Sequence, residues 1–97
     1  MTEEKFEKIL KKIKKRAGIP ESVTIYDDEF SDLINGALFD MDEAGVPAEL
    51  LTDPPAQVIN VIAYYVQRER AEDNKTADWY EKMYQKFLFR LSLLKED

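Results

Sequence analysis

The residues of this chain best suited to catalysis or metal binding are two clusters of acidic side chains. They are Asp27-Asp28-Glu29 and Asp40-Met41-Asp42-Glu43. Neighbouring carboxylates can hold a divalent cation or share a proton. The chain contains neither histidine nor cysteine, so it lacks the usual general base near neutral pH and the usual thiol nucleophile. Any catalysis would therefore depend on these carboxylates.

The second acidic run matches part of a calcium-binding loop. Asp40, Asp42 and Gly45 occupy its first, third and sixth positions. The fifth position is Ala44, and Leu51 stands where the loop needs its bidentate glutamate. The first acidic run suits the start of a helix, where acids cap N–H groups and meet the positive end of the dipole. The sequence therefore predicts no metal, no cofactor and no enzymatic activity.

A lysine-rich N-terminus gives the chain a second candidate site. Residues 1–20 carry a net charge of +4, whereas the whole chain carries -6. Such a basic end can attract a nucleic acid or an acidic protein surface. No aromatic residue lies on the basic face, and the rest of the chain is acidic, which favours a solvated face over a nucleic-acid site. The candidate contact residues are Lys11, Lys12, Lys14 and Lys15.

The apolar periodicity predicts the elements that position these side chains. Apolar residues recur at spacings of three and four, as in amphipathic helices. The pattern predicts four helices, over residues 3–17, 26–45, 54–71 and 75–94. We expect an extended loop over residues 19–26 and a short turn over residues 49–52.

Local signals mark the ends of these helices. Gly18 and Gly45 are typical of helix C-termini. Asp53 is expected to cap the third helix, whose first positions are prolines, and Asp73 or Asn74 is expected to cap the fourth.

The third predicted helix is apolar around most of its circumference, so we expect neighbours on several sides of it. The resulting fold class is all-α, a compact bundle of four main helices with a central apolar third helix, in a single domain over residues 1–97. The longest nearly apolar run, residues 58–66, is far too short to span a membrane. Without cysteines, a cytoplasmic setting is expected.

Four large apolar residues lie off the main helical stripes, namely Phe39, Trp79, Phe89 and Leu93. A single small core cannot receive all of them if the stripes face inward, so they are candidates for a partner surface. The alternative is that the helices wrap closely enough to bury both faces of the last one.

The order of several short motifs resembles the small head-tail connector proteins of long-tailed phages and prophages, also labelled DNA-packaging adaptors. The lysine-rich first helix ends at Gly18-Ile19, and the third helix carries Tyr64 and Tyr65. The other matching segments are Tyr26-Asp27-Asp28-Glu29-Phe30, Asp32-Leu33-Ile34, Gly36-Ala37, Ala44-Gly45-Val46, Asp53-Pro54, Tyr84 and Leu91-Ser92-Leu93.

This resemblance implies a structural subunit whose copies form a ring. The ring would dock on the portal protein, extend the DNA channel without sequence-specific DNA binding, and receive the next tail-completion protein. The protein would be cytoplasmic during assembly and then lie at the head-tail junction of the virion. Free subunits are expected to stay monomeric until the portal templates them. Two alternatives remain open: an unrelated helical partner-binding or regulatory domain, and a nucleic-acid-binding protein that uses the basic first helix.

Overall fold

The polypeptide folds into helices that follow the predicted order. A computed structural model describes residues 1–94, and these contain no strand. The all-α prediction is therefore confirmed, with a short additional helix at the predicted turn of residues 49–52. The helices are α1 Glu3–Arg16, α2 Asp27–Glu43, α3 Ala48–Thr52, α4 Ala56–Arg70 and α5 Asn74–Ser92.

The first two main helices end where the glycines predict. Gly18 and Gly45 adopt φ angles of 77° and 91°, a left-handed conformation that side chains with a Cβ rarely adopt. At its other end α1 begins after Thr2, whose hydroxyl accepts a hydrogen bond from the Lys5 N–H at 3.2 Å. Asp27, Asp28 and Glu29 lie in the first turn of α2, where the helix dipole favours acids as predicted, but the predicted acidic cap is wrong, because no side chain caps this helix. The carboxylate of Asp27 instead reaches Lys14 on α1.

The start of α4 also differs from the prediction. The two prolines precede the helix, no side chain caps it, and the helix begins at Ala56. The carbonyl of Pro55 accepts hydrogen bonds from the N–H groups of Val58 and Ile59 at 3.0 and 3.1 Å. Asp53 forms a surface ion pair with Lys5 instead, at 3.5 Å. The expected cap is therefore replaced by a contact with α1.

The helix α4 lies at the centre of the core, as its all-round apolar pattern predicts. It packs against α1, α2 and α5. Six of its side chains are buried: Val58, Ile59, Val61, Ile62, Ala63 and Val66. Burial of this much apolar surface from several sides is the main stabilising contribution to such a fold.

Two peripheral segments depart from the predicted pattern. The loop of residues 19–26 forms turns, with the Val23 N–H donating to Pro20 and the Asp27 N–H to Thr24 at 3.0 Å each. With no strand beside it in residues 1–94, the loop satisfies part of its backbone through these turn bonds. The last helix ends at Ser92 rather than at the predicted residue 94, and Leu94 lies exposed beyond it.

The arrangement is thin in one direction. Its principal extents are 41 × 34 × 18 Å, and 18 Å corresponds to about two layers of helices because packed helix axes lie about 8 to 10 Å apart. In so thin a molecule a peripheral helix keeps one side in solvent. This leaves the outer sides of α2 and α5 free for other contacts.

Candidate interaction surfaces

The outer side of α2 presents one aromatic ring among carboxylates. Phe39 is 68% exposed, and it lies opposite the buried stripe of α2 because it follows Ile34 by five residues and precedes Met41 by two. Exposed residues at neighbouring helical positions surround it. We call this surface the acidic ridge, and it consists of Asp32, Asn35, Phe39, Asp42 and Glu43.

The carboxylates of the acidic ridge have no partner of their own. The side chains of Asp32, Asp42 and Glu43 make no ion pair and no hydrogen bond within residues 1–94. The last turn of α2 also contains no basic residue, although cations are the residues that the helix dipole favours there. The ridge therefore offers uncompensated negative charge around a large apolar group.

The other three apolar candidates share one side of α5. Trp79, Phe89 and Leu93 are each more than half exposed. Their spacing places them on one helical face together with exposed cations. We call this surface the basic-aromatic face, and it consists of Trp79, Lys82, Lys86, Phe89, Arg90 and Leu93. The alternative that neighbouring helices bury both sides of α5 is therefore wrong.

The cations of this face are also available for contacts. Lys82, Lys86 and Arg90 form no ion pair within the described part of the chain. Two of them instead lie near the ring of Phe87: the Lys86 ammonium at 5.7 Å and the Arg90 guanidinium at 5.1 Å from its centroid. Such cation–π contacts are weak at exposed sites, so they leave the charges able to meet an acidic partner.

Aromatic packing between α4 and α5 holds one edge of this face in place. The ring of Tyr64 stacks on Phe87 with centroids 5.7 Å apart, and it meets Trp79 edge-on at 6.4 Å. Trp79 also packs edge-on against Tyr80 at 5.1 Å. Beside these rings is a groove of about 360 Å³, whose lining includes Val61, Tyr64, Phe87 and Leu91. Trp79 is thus a positioned ring rather than a loose side chain.

The four lysines predicted as a contact set on α1 do not share one environment. Lys12 and Lys15 are exposed and unpaired within residues 1–94, whereas Lys11 pairs with Glu21 at 3.1 Å. Lys14 is only 2% exposed, so its place among the lysines of the exposed face is a misassignment. It follows Leu10 by four residues and Ile13 by one, and this spacing turns it toward the buried stripe.

The buried position of Lys14 joins three segments. Its ammonium forms an ion pair with the Asp27 carboxylate at 2.7 Å and donates to the Glu21 carbonyl at 3.3 Å. Asp27 begins α2, and Glu21 lies in the preceding loop. Lys14 therefore stabilises the loop between α1 and α2 and is not available to a partner.

A polar network of side-chain hydrogen bonds joins α2, α4 and α5. The Tyr84 hydroxyl donates to the Asp40 carboxylate, and Arg68 donates to Glu81 at 2.6 Å and to Glu69 at 2.8 Å. The guanidinium of Arg68 also lies 4.6 Å from the centre of the Tyr65 ring. Sequence reasoning missed this network, because residues 44 positions apart in the chain give no local signal of their contact.

The network is suited to holding helices together. Burial, followed by the hydrogen bond to Asp40, raises the pKa of the Tyr84 hydroxyl above its ordinary range. The hydroxyl therefore stays protonated and serves as a donor. Within residues 1–94 no group of three acidic side chains is placed to hold a metal ion, and none of the helices there is long and apolar enough to cross a membrane.

Comparison with known protein families gives a match over most of the chain. The family described as phage connector protein matches residues 9–97 of the chain, which includes every helix except the start of α1. Comparisons with curated proteins and with solved structures give no match.

Proposed function

Because the chain belongs to the phage connector protein family, we propose that it is a structural subunit of the head-tail connector. In this role, copies of the chain form a ring that docks on the portal protein, extends the DNA channel and receives the next tail-completion protein. The subunit is cytoplasmic during assembly and lies at the head-tail junction of the finished virion. The family match over residues 9–97 is the observation that carries this proposal.

The distribution of exposed apolar residues supports a role in assembly. Trp79, Phe89 and Leu93 lie together on one side of α5, and Phe39 lies on the outer side of α2. Single exposed apolar residues need no explanation, but a group of them on one face marks a partner surface. A ring needs two different complementary surfaces on each copy, and the chain has two candidates.

A structural role also fits the chemistry of the chain. The full sequence has no histidine and no cysteine, so the usual base and thiol nucleophile are missing. The proposed passage of DNA through the ring requires no sequence-specific contact. Three lysines of α1 are engaged inside the chain, namely Lys5 with Asp53, Lys11 with Glu21 and Lys14 with Asp27. This leaves fewer charges for a dedicated nucleic-acid site on this helix.

Co-sedimentation with the cognate portal protein tests the proposal. The wild-type chain should sediment with assembled portal in several copies per portal oligomer, and it should not sediment with the portal of an unrelated phage. Wild-type chain that stays in the supernatant at every portal concentration would reject the connector assignment.

A matched pair of variants tests the exposed apolar residues in the same assay. Phe39→Asp should weaken co-sedimentation by about tenfold or more, as loss of an interface residue worth about 1.4 kcal/mol or more does. Ile25→Asp is the control, because Ile25 is 80% exposed and lies outside both surfaces. Equal binding by the two variants would exclude Phe39 from the contacts of the assembled connector.

A further inference from the structure

We propose that the acidic ridge of one copy docks on the basic-aromatic face of the next, so that α2 and α5 form the contact between neighbouring subunits. This inference rests on the proposed function, because it assigns the surfaces by which the connector ring is built. The partner on each surface is a second copy of this chain.

The charges of the two surfaces are complementary and uncompensated. Asp32, Asp42 and Glu43 on the ridge form no ion pair inside the chain, and the same is true of Lys82, Lys86 and Arg90 on the face, within residues 1–94. Charges of opposite sign on two surfaces guide encounter and fix the register of a contact. Three carboxylates can therefore meet three cations without disturbing any internal pair.

The apolar groups of the two surfaces are complementary as well. The ridge carries one exposed ring, Phe39, surrounded by charge, while Trp79 and Phe89 alternate with cations along the face. An aromatic group surrounded by polar residues is the usual arrangement at an interface centre. Tyr64 and Tyr80 already hold Trp79 in position, so little side-chain freedom is lost on docking.

A second copy explains both surfaces, whereas a nucleic acid would explain only one. DNA could meet the cations of α5, but it would leave the acidic ridge without a partner and would be repelled by the net charge of -6. Leu93 and Phe89 have no role in phosphate binding. Contact between two different surfaces is heterologous, and it generates a ring when the rotation closes.

Charge reversal tests the pairing. The ridge variant carries Asp42→Lys and Glu43→Lys, and the face variant carries Lys82→Glu and Lys86→Glu. Each variant alone presents like charges on both surfaces and should lose self-association by at least about tenfold, measured by sedimentation velocity with and without the portal. An equimolar mixture of the two variants should associate again, because every contact then joins opposite charges.

Two further variants serve as controls. A chain carrying both reversals keeps the net charge of -6 and should associate with itself as the wild type does. Lys8→Glu with Arg16→Glu makes the same change in net charge as the face variant, at exposed positions of α1 that form no ion pair within residues 1–94, and should have little effect. Thermal unfolding of each chain establishes that it folds.

Disulfide trapping gives a second measurement on the cysteine-free chain. One chain carries Asn35→Cys on the ridge, and another carries Phe89→Cys on the face. Under oxidation the mixture should give mainly the mixed dimer, since the proposed contact brings ridge to face. Equal amounts of mixed and like-with-like dimers, or none in the presence of portal, would overturn the proposal.

The outcomes separate this inference from the proposed function. Portal binding by the wild type without rescue in the mixture would overturn the ridge-to-face contact and leave the connector role standing. Rescue in the mixture without portal binding by the wild type would support the ridge-to-face contact and reject the connector role. If the face variant lost binding to duplex DNA but kept self-association, the face would belong to nucleic acid and the proposal would be wrong.

Discussion

The side chain of Lys14 links three segments of the chain from a buried position. It pairs with Asp27 at the start of α2 and donates to the Glu21 carbonyl in the loop. A buried charge is costly unless it is paired and hydrogen-bonded, and the Lys14 ammonium meets both conditions. Asp27 keeps 31% of its side chain exposed, but its Oδ1 atom, which faces Lys14, is buried and has no hydrogen-bond partner besides this ion pair within residues 1–94. Lys14 thus joins α1 to the loop and to the start of α2 at the edge of the core.

Replacing Lys14 by Met should destabilise the fold by about 1 to 3 kcal/mol, because Asp27 is left without its partner while the methionine fills similar space. The value should fall below the roughly 3 to 5 kcal/mol of fully buried pairs, since Asp27 is partly solvated. Urea unfolding measures the change.

The control for this substitution is Lys15→Met, at the exposed neighbouring position. It should change the free energy of unfolding by less than about 0.5 kcal/mol. Adding Asp27→Asn to Lys14→Met should cost less than the two single changes together, because the isolated charge is then removed. Strict additivity would show that the pair contributes nothing as a pair.

Single residues mark where sequence reasoning succeeds and where it stops. The off-stripe positions of Phe39 and Trp79 predicted candidate surface residues, and both lie exposed. Their role in a contact stays a prediction. The burial of Lys14 differs from the prediction because lysines usually lie exposed, whereas its position beside Ile13 places this one near the buried stripe. The bond between Tyr84 and Asp40 could not be predicted, since it depends on how α2 and α5 meet in space.

Among the elements, α4 determines the packing of the others. It contacts α1, α2 and α5, and its pattern made this central place predictable from sequence. The same reasoning failed at its start, because the carboxylate of Asp53 turns to Lys5 on α1. Asp73 differs, since the carboxylate accepts a hydrogen bond from the Thr76 N–H at 2.8 Å within its own turn. Caps that depend on local geometry can be predicted, whereas those that compete with tertiary contacts cannot.

Ile62 of α4 is completely buried, so Ile62→Ala should lower the free energy of unfolding by about 2 to 5 kcal/mol through lost burial and a cavity. Ile25→Ala is the matched control and should have an effect below about 0.5 kcal/mol, because Ile25 is exposed. Chemical denaturation of the two variants makes the comparison. Similar losses at both positions would contradict the central place of α4.

The cap of α5 should make stability depend on acidity. Hydrogen bonds from the backbone and hydroxyl of Thr76 lower the pKa of Asp73 below its ordinary 3.8. Because the pKa of Asp73 is lower in the folded chain than in the unfolded chain, the cap stabilises α5 at pH values above 3.8. Its contribution is lost as the pH falls through the folded-state pKa.

Thermal unfolding between about pH 6 and pH 2 measures this loss. Asp73→Asn should show a smaller decrease in melting temperature than the wild type, because a neutral amide oxygen still accepts the bond from Thr76. The control is Asp78→Asn, whose carboxylate makes no hydrogen bond or ion pair in residues 1–94. Parallel curves for Asp73→Asn and the wild type would argue against the cap.

At the scale of the whole molecule, the thin shape leaves two helix surfaces of opposite charge exposed to solvent. The chain is thin, at 18 Å in its shortest direction, and it carries opposite charge on the outer sides of two helices. Surface ion pairs are individually weak and are screened by salt. A ring held partly by such pairs should therefore assemble through many repeated contacts rather than through one strong pair.

Self-association of the wild type should weaken as the salt concentration rises from about 0.05 to 0.5 M, because salt screens the electrostatic attraction between the acidic ridge and the basic-aromatic face. Sedimentation velocity on and off the portal measures this change. The chain carrying both charge reversals should show the same salt dependence, whereas association that strengthens with salt would indicate that apolar burial dominates the contact.

The position of the only tryptophan gives the molecule a fluorescent reporter on its surface. Trp79 is half exposed in solution and lies against Tyr64 and Tyr80, so excitation energy absorbed by these tyrosines can pass to the indole. Unfolding changes the indole ring of Trp79 only from partly to fully solvent-exposed. Burial against a second copy would remove its water and move its emission toward the blue. The intrinsic fluorescence of this protein should therefore follow assembly more closely than folding.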